Sequence, residues 1–131
     1  MDRRALLGLA AVAAATASPA MAGGGGGGSA QPSYMRLPTV TANAPRPGGR
    51  RGVMTVETGI DAPDAALRTR VAQSAPRLRA AYAAVVQQAA SGLLPGHPPD
   101  IERLVADLQA ATDRTLGRRG ARLLIGTVMV V

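Results

Sequence analysis

The stretch VMTVETGIDAPDAALRTRVAQ, residues 53–73, changes its hydrophobic period half-way along, and that change decides the fold class. Up to Ile60 the side chains alternate, with Met54, Val56, Thr58 and Ile60 on one face and Val53, Thr55 and Glu57 on the other. A period of two rich in β-branched residues predicts a half-buried strand. Beyond it, Leu67, Val71, Ala75, Leu78, Tyr82, Val85, Val86 and Ala89 fall within an arc of about 100° at 3.6 residues per turn. Asp61 or Asp64 is placed to cap that helix. The arc runs through Pro76, which predicts either one helix kinked near Ser74–Pro76 or two meeting there, with Ser74 as cap and Pro76 in the first turn.

Working outward toward the C-terminus, "SGLLPGHPP" reads as a loop and Asp100 as the cap of a helix over 101–116. Ile101, Leu104, Val105, Leu108 and Leu116 form its apolar stripe, and Gly117 ends it. Asp107 is placed to pair with Arg103, four residues earlier. "ARLLIGTVMVV", 121–131, is apolar on both faces, which predicts a central strand covered on one side by helices. In the other direction, "SYMRLPTVTAN" is β-rich, with Pro38 confining it to an edge or a bulge, and "ANAPRPGGRRG" is a turn-rich connection to the next strand. The predicted order is β-β-α-α-β, a small α+β domain over 33–131 with a short sheet packed on two amphipathic helices.

Ahead of this domain, residues 1–22 read as a signal peptide. Arg3 and Arg4 begin it, an apolar core of about 13 residues follows, and Ala20 and Ala22 bracket Met21 as the cleavage site. The twin arginine before a mildly hydrophobic core is similar to the Tat export class. A membrane span needs about 20 apolar residues, so the expected product is periplasmic and cut after Ala22, with a membrane location only if the signal is retained. Of 131 residues, removing 22 leaves 109, and losing Asp2, Arg3 and Arg4 takes one positive charge from the net +7. Gly23–Gly28 opens a flexible linker over 23–32.

Composition narrows the chemistry further. All 15 basic residues are arginine, and Cys, Phe and Trp are absent. Without cysteine there is no disulfide, thiol nucleophile or thiolate metal site, and one histidine, His97, argues against a zinc or iron cluster. His97 sits in a loop with no acid at ligand spacing, and Ser33, Ser74 and Ser91 lack the setting of an activated nucleophile. A small hydrolase using His97 is the weakest reading. Neither an enzyme nor a cofactor or metal site is expected. Single-strand binders need stacking aromatics, and only Tyr34 and Tyr82 exist, the second on a buried stripe. Nucleic acid is therefore not the expected partner. Glu57, the one acid inside a strand, reads as a solvent-side residue.

The segment GRRG occurs at 49–52 and again at 117–120, each time before a strand. If the last strand lies parallel to Val53–Ile60, Arg50, Arg51, Arg118 and Arg119, with Arg46 and Arg122, form one anion patch for acidic lipid or cell-wall polymer. If it lies antiparallel, the pairs sit at opposite ends. The sequence leaves both directions open.

With these elements in order, "LPTVTAN", "GVMTVETGID", the proline-bearing "SAPRLRAAY", "LQAATDRTLGRRG" and "ARLLIGTVMVV" together make the domain resemble the flagellar basal-body-associated FliL family. The whole chain also resembles small Tat-signal proteins of alphaproteobacteria. The FliL resemblance implies a non-enzymatic accessory protein of the periplasm, with a stomatin-like fold, that self-associates into rings or docks on an envelope assembly beside the flagellar stator. The chain departs from that family in its cleavable signal and in a last strand without aromatic residues.

Overall fold

A computed structural model describes residues 32–131, which form one compact unit. The predicted signal peptide with Arg3, Arg4, Ala20 and Ala22, and the linker as far as Gln31, lie outside the described residues. The elements run β1 (Tyr34–Arg36), β2 (Val40–Pro45), a 3-10 turn (Pro47–Gly49), β3 (Arg51–Asp61), α1 (Ala65–Gln73), α2 (Ala75–Ser91), α3 (Ile101–Leu116) and β4 (Arg122–Val130). This is an α+β domain, a four-stranded antiparallel sheet with its helices on one face.

β3 is the central strand. Its N-terminal half pairs with β2 from Pro45↔Arg51 to Val40↔Val56, and its C-terminal end pairs with β1 from Arg36↔Gly59 to Tyr34↔Asp61. β4 pairs with both halves, from Asp61↔Arg122 to Met54↔Val130. A strand has two hydrogen-bonding edges, so β1 and β2 lie end to end along one edge of β3 and β4 takes the other. The break at Leu37–Thr39 falls at Pro38, whose missing N–H cannot join the ladder.

The doubly apolar β4 is therefore an edge strand, not the central one its composition predicts. The reason lies in β3, which is long enough to hold partners on both sides and so takes the middle.

The predicted strand face is the core face. Met54, Val56 and Ile60 are fully buried, with Val40, Ala42, Ala44 and Leu123 beside them. Leu67, Val71, Leu78, Tyr82, Val86 and Ala90 from the first two helices and Leu104, Leu108, Ala111 and Leu116 from α3 close over them. Ile101, expected in that stripe, is 41% exposed at the helix start. Chain direction breaks at Ser74, so the helical arc is two helices with Pro76 in the first turn of the second. Ser74 makes no side-chain cap; its hydroxyl accepts from Arg77 Nη2 at 3.0 Å. Asp64, not Asp61, caps α1 by accepting from Leu67 N at 2.9 Å. Asp100 caps α3 by accepting from Arg103 N at 3.1 Å, and Gly117 ends it in the left-handed region at φ 76°.

Three buried hydroxyls fare differently. Tyr82 Oη and Thr112 Oγ1 bond each other, and Thr112 donates onward to Leu108 O at 2.8 Å. Burial pushes the Tyr82 phenol above its ordinary pKa, so it stays neutral. Thr58 Oγ1, on the core face of β3, has no partner.

Candidate functional site: the uncovered face and edge of the sheet

Because every helix packs on one side, the other side of the sheet is uncovered. Residues paired across an antiparallel ladder point the same way, so this face carries Tyr34 with Asp61 and Arg122, Leu124 with Gly59, and Thr55 with Met129. Val53 and Val131 bond each other's backbones at 2.8 and 3.0 Å and extend it. Tyr34, Val53, Met129 and Val131 are 49%, 39%, 46% and 61% exposed, so this face holds most of the large exposed apolar side chains among the described residues, Tyr34 at one end and the other three at the opposite end. The Tyr34 ring lies on Gly59, in the space that any Cβ there would fill.

One ion pair crosses this face. Glu57 Oε1 accepts from Arg36 Nη2 at 2.6 Å, and Glu57 Oε2 accepts from Thr127 N at 3.2 Å. A central-strand carboxylate thereby ties β1 to β4. Hydrogen bonds from the Thr127 side chain and backbone, with the Arg36 charge behind them, hold the Glu57 carboxyl below its ordinary pKa. Thr127 turns its N–H to a side chain because β4 bulges there, the register slipping by one residue between Val56 and Thr58. Gly126 makes the bulge compact, since a Cβ at that position would stand 3.3 Å from Glu57 Cβ.

The outer edge of β4 is only partly occupied. Gln109, reaching from α3, donates Nε2 to Ala121 O and accepts from Leu123 N with Oε1, both at 2.8 Å. It stands in for a neighbouring strand over those residues alone.

The arginine pairs do not meet. β3 and β4 are antiparallel, so Arg50 and Arg51 precede one end of the sheet and Arg118 and Arg119 the other. Arg51 and Asp61 bound a strand about 34 Å long, which rules out the joint anion patch. Arg46 sits with the first pair, donating to Val130 O at 3.3 Å, and Arg122 with the second. Arg118 approaches the Asp64 cap at 4.0 Å, and nearby Arg70 donates to Leu116 O at 2.8 Å, closing the end of α3. Arg103 and Asp107 pair at 3.7 Å on an exposed helix face.

His97 lines two hollows of about 510 and 410 Å³ that flank the loop between α2 and α3. Its Nδ1 lies 3.4 Å from Pro95 O. Neither hollow is lined by a Ser, Thr, Tyr or Cys, so no hydroxyl or thiol nucleophile faces the imidazole. Ser74 and Ser91 are engaged with Arg77 and Gln87. Among the described residues, no three His, Asp or Glu side chains gather as a metal site, and no helix is long and apolar enough to cross a membrane.

No protein-family model, curated protein or solved structure matches this chain. What it offers a partner must be read from its own surface. Sequence reasoning missed Gln109 and the bulge. A glycine inside an apolar strand run was the available signal for the second; the first had none, because a helical glutamine carries no mark of what it reaches.

Proposed function

We propose that this chain is an exported, non-enzymatic interaction protein of the periplasm, FliL-like in type and envelope- or flagellum-associated, that presents the uncovered side of its sheet to a protein partner. The uncovered face carries this reading: four large apolar side chains stand exposed there, while the helical side closes over a complete core. A surface meant only for water is normally interrupted by unmatched charge; here Glu57 and Arg36 neutralise each other and Asp61 stands opposite Arg122. The twin-arginine start supports the location, and the resemblance of the sequence to FliL domains supports the type.

A photo-crosslinking residue at Met129, compared with one at Arg79 on the helical side, tests the reading in cells. The expected outcome is a discrete adduct from position 129 and none from 79, with the mature protein recovered from the periplasm of a Tat-competent host. Equal labelling from both positions, or retention in the cytoplasm, would sink it.

A further inference from the structure

We propose that β4 is a homodimerisation edge: two copies pair antiparallel through Leu124–Met129 and merge their sheets into one. The inference rests on the reading of the chain as an interaction protein and names its partner as a second copy. β4 has the composition of a central strand, and within one molecule it stands at an edge. From Leu123 to Val131 it contains no charge and no proline, the two devices by which edge strands are ordinarily kept from pairing.

The direction of its backbone groups can be followed. Val131 exchanges both bonds with Val53, and Leu123 N turns outward to Gln109. Alternation from these fixed points sends the N–H and C=O groups of Ile125, Val128 and Val130 away from β3, the Val130 carbonyl being taken by Arg46 Nη1 at 3.3 Å. The bulge at Gly126–Thr127 keeps Ile125 and Val128 both outward although they are three residues apart. A two-fold axis beside the bulge therefore sets Ile125 of one copy against Val128 of the other, and the reverse, each pair exchanging both hydrogen bonds. Such an interface is self-complementary, as a two-fold requires.

Charge selects the direction of pairing. The chain carries a net +7, which opposes self-association in general. On β4 the sole charge is Arg122, at one end. Antiparallel pairing holds the two Arg122 side chains about 30 Å apart, several Debye lengths; parallel pairing would set them side by side. The seam itself is neutral. Gln109 confines pairing to the stretch beyond Leu123, a strip of about 20 Å. That strip is smaller than the roughly 800 Å² per partner of a standard interface, so the dimer is expected to be concentration-dependent.

Sedimentation velocity on the full chain, up to about 1 mM, tests this with two variants. Val128→Pro removes an outward N–H that β3 does not use, a position where an edge strand tolerates proline. Met129→Lys places a gatekeeper charge on the uncovered face beside the seam. The expected result is a mass rising from 13.2 kDa toward twice that value with concentration in the parent chain. Val128→Pro should stay monomeric over the same range with unchanged circular dichroism, and Met129→Lys should need at least about tenfold more protein to dimerise. If Val128→Pro fails to fold, Met129→Lys alone decides. A dimer that survives both substitutions overturns the β4 seam and leaves the interaction reading intact. A parent chain monomeric throughout also overturns the seam, and the crosslinking at Met129 then decides separately whether another protein is the partner.

Discussion

The two edges of this sheet are built on opposite plans. Along one, β1 and β2 are short, separated at Pro38 and ended by Pro45, with Arg36, Thr41 and Asn43 on the uncovered face. Along the other, β4 runs nine residues with one charge at its start and a single bulge. Both edges serve the same central strand, so local stability does not explain the difference. The broken edge is interrupted in the way sheets avoid unwanted pairing, whereas the continuous edge is occupied at its ends, by Gln109 at Ala121 and Leu123 and by Arg46 at Val130 O. Protection along one edge and its absence from the middle of the other mark the second as a place for contact.

The most damaging way to break this comparison is Ile60→Ala. Ile60 is fully buried and stands opposite Met35 on one edge and Leu123 on the other. Its truncation should cost about 2–5 kcal/mol and loosen both edges together, read by chemical denaturation and by amide exchange in β1 and β4. Gln109→Ala affects the continuous edge alone. It should cost about 1 kcal/mol and speed exchange at Leu123, leaving β1 and β2 unchanged. Thr58→Val should act in the favourable direction by up to about 1 kcal/mol, because an isosteric methyl replaces a buried hydroxyl that has no partner. A loss of stability there would show that the hydroxyl has a partner after all.

The smallest effect is the pH response of Glu57, which bridges the two edges. Its folded pKa is lowered, so its contribution is complete above the unfolded glutamate value of about 4.3 and is lost as the pH falls through the lower folded value. Glu57→Gln should therefore lower stability slightly at neutral pH and flatten the acid limb of the stability curve, the two curves converging as the pH falls. A difference from the parent chain that stays the same from neutral pH into acid would remove the Glu57 charge from the link.

The parts of the fold governed by period were readable in advance. Met54, Val56 and Ile60 alternate because a pleated strand does, and Leu67, Val71, Leu78, Tyr82 and Val86 recur because a helix brings them to one side. Asp100 and Gly117 also announced the ends of α3, since capping is local chemistry. What could not be read was anything needing a neighbour. The apolar run in β4 is equally suited to a central strand or to an edge that meets a second molecule, and only β3's place between two partners distinguishes them. The direction of β4, which parts the arginine pairs, depends on how the chain returns after α3. No residue of the GRRG segments records it. The uncovered face was illegible for the same reason, since it is assembled from β1, β3 and β4 and recognisable only once they lie side by side.

The interruption at Pro38 has a consequence for how far assembly can go. A molecule with two open strand edges behaves as a bifunctional monomer, and edge-to-edge addition can then continue without limit into fibres. Here the β1–β2 side is broken by proline and leaves only β4 reactive, so the protein is monofunctional in the polymer chemist's sense. Addition across a two-fold consumes the one reactive edge of each copy, and growth by this route terminates at the pair.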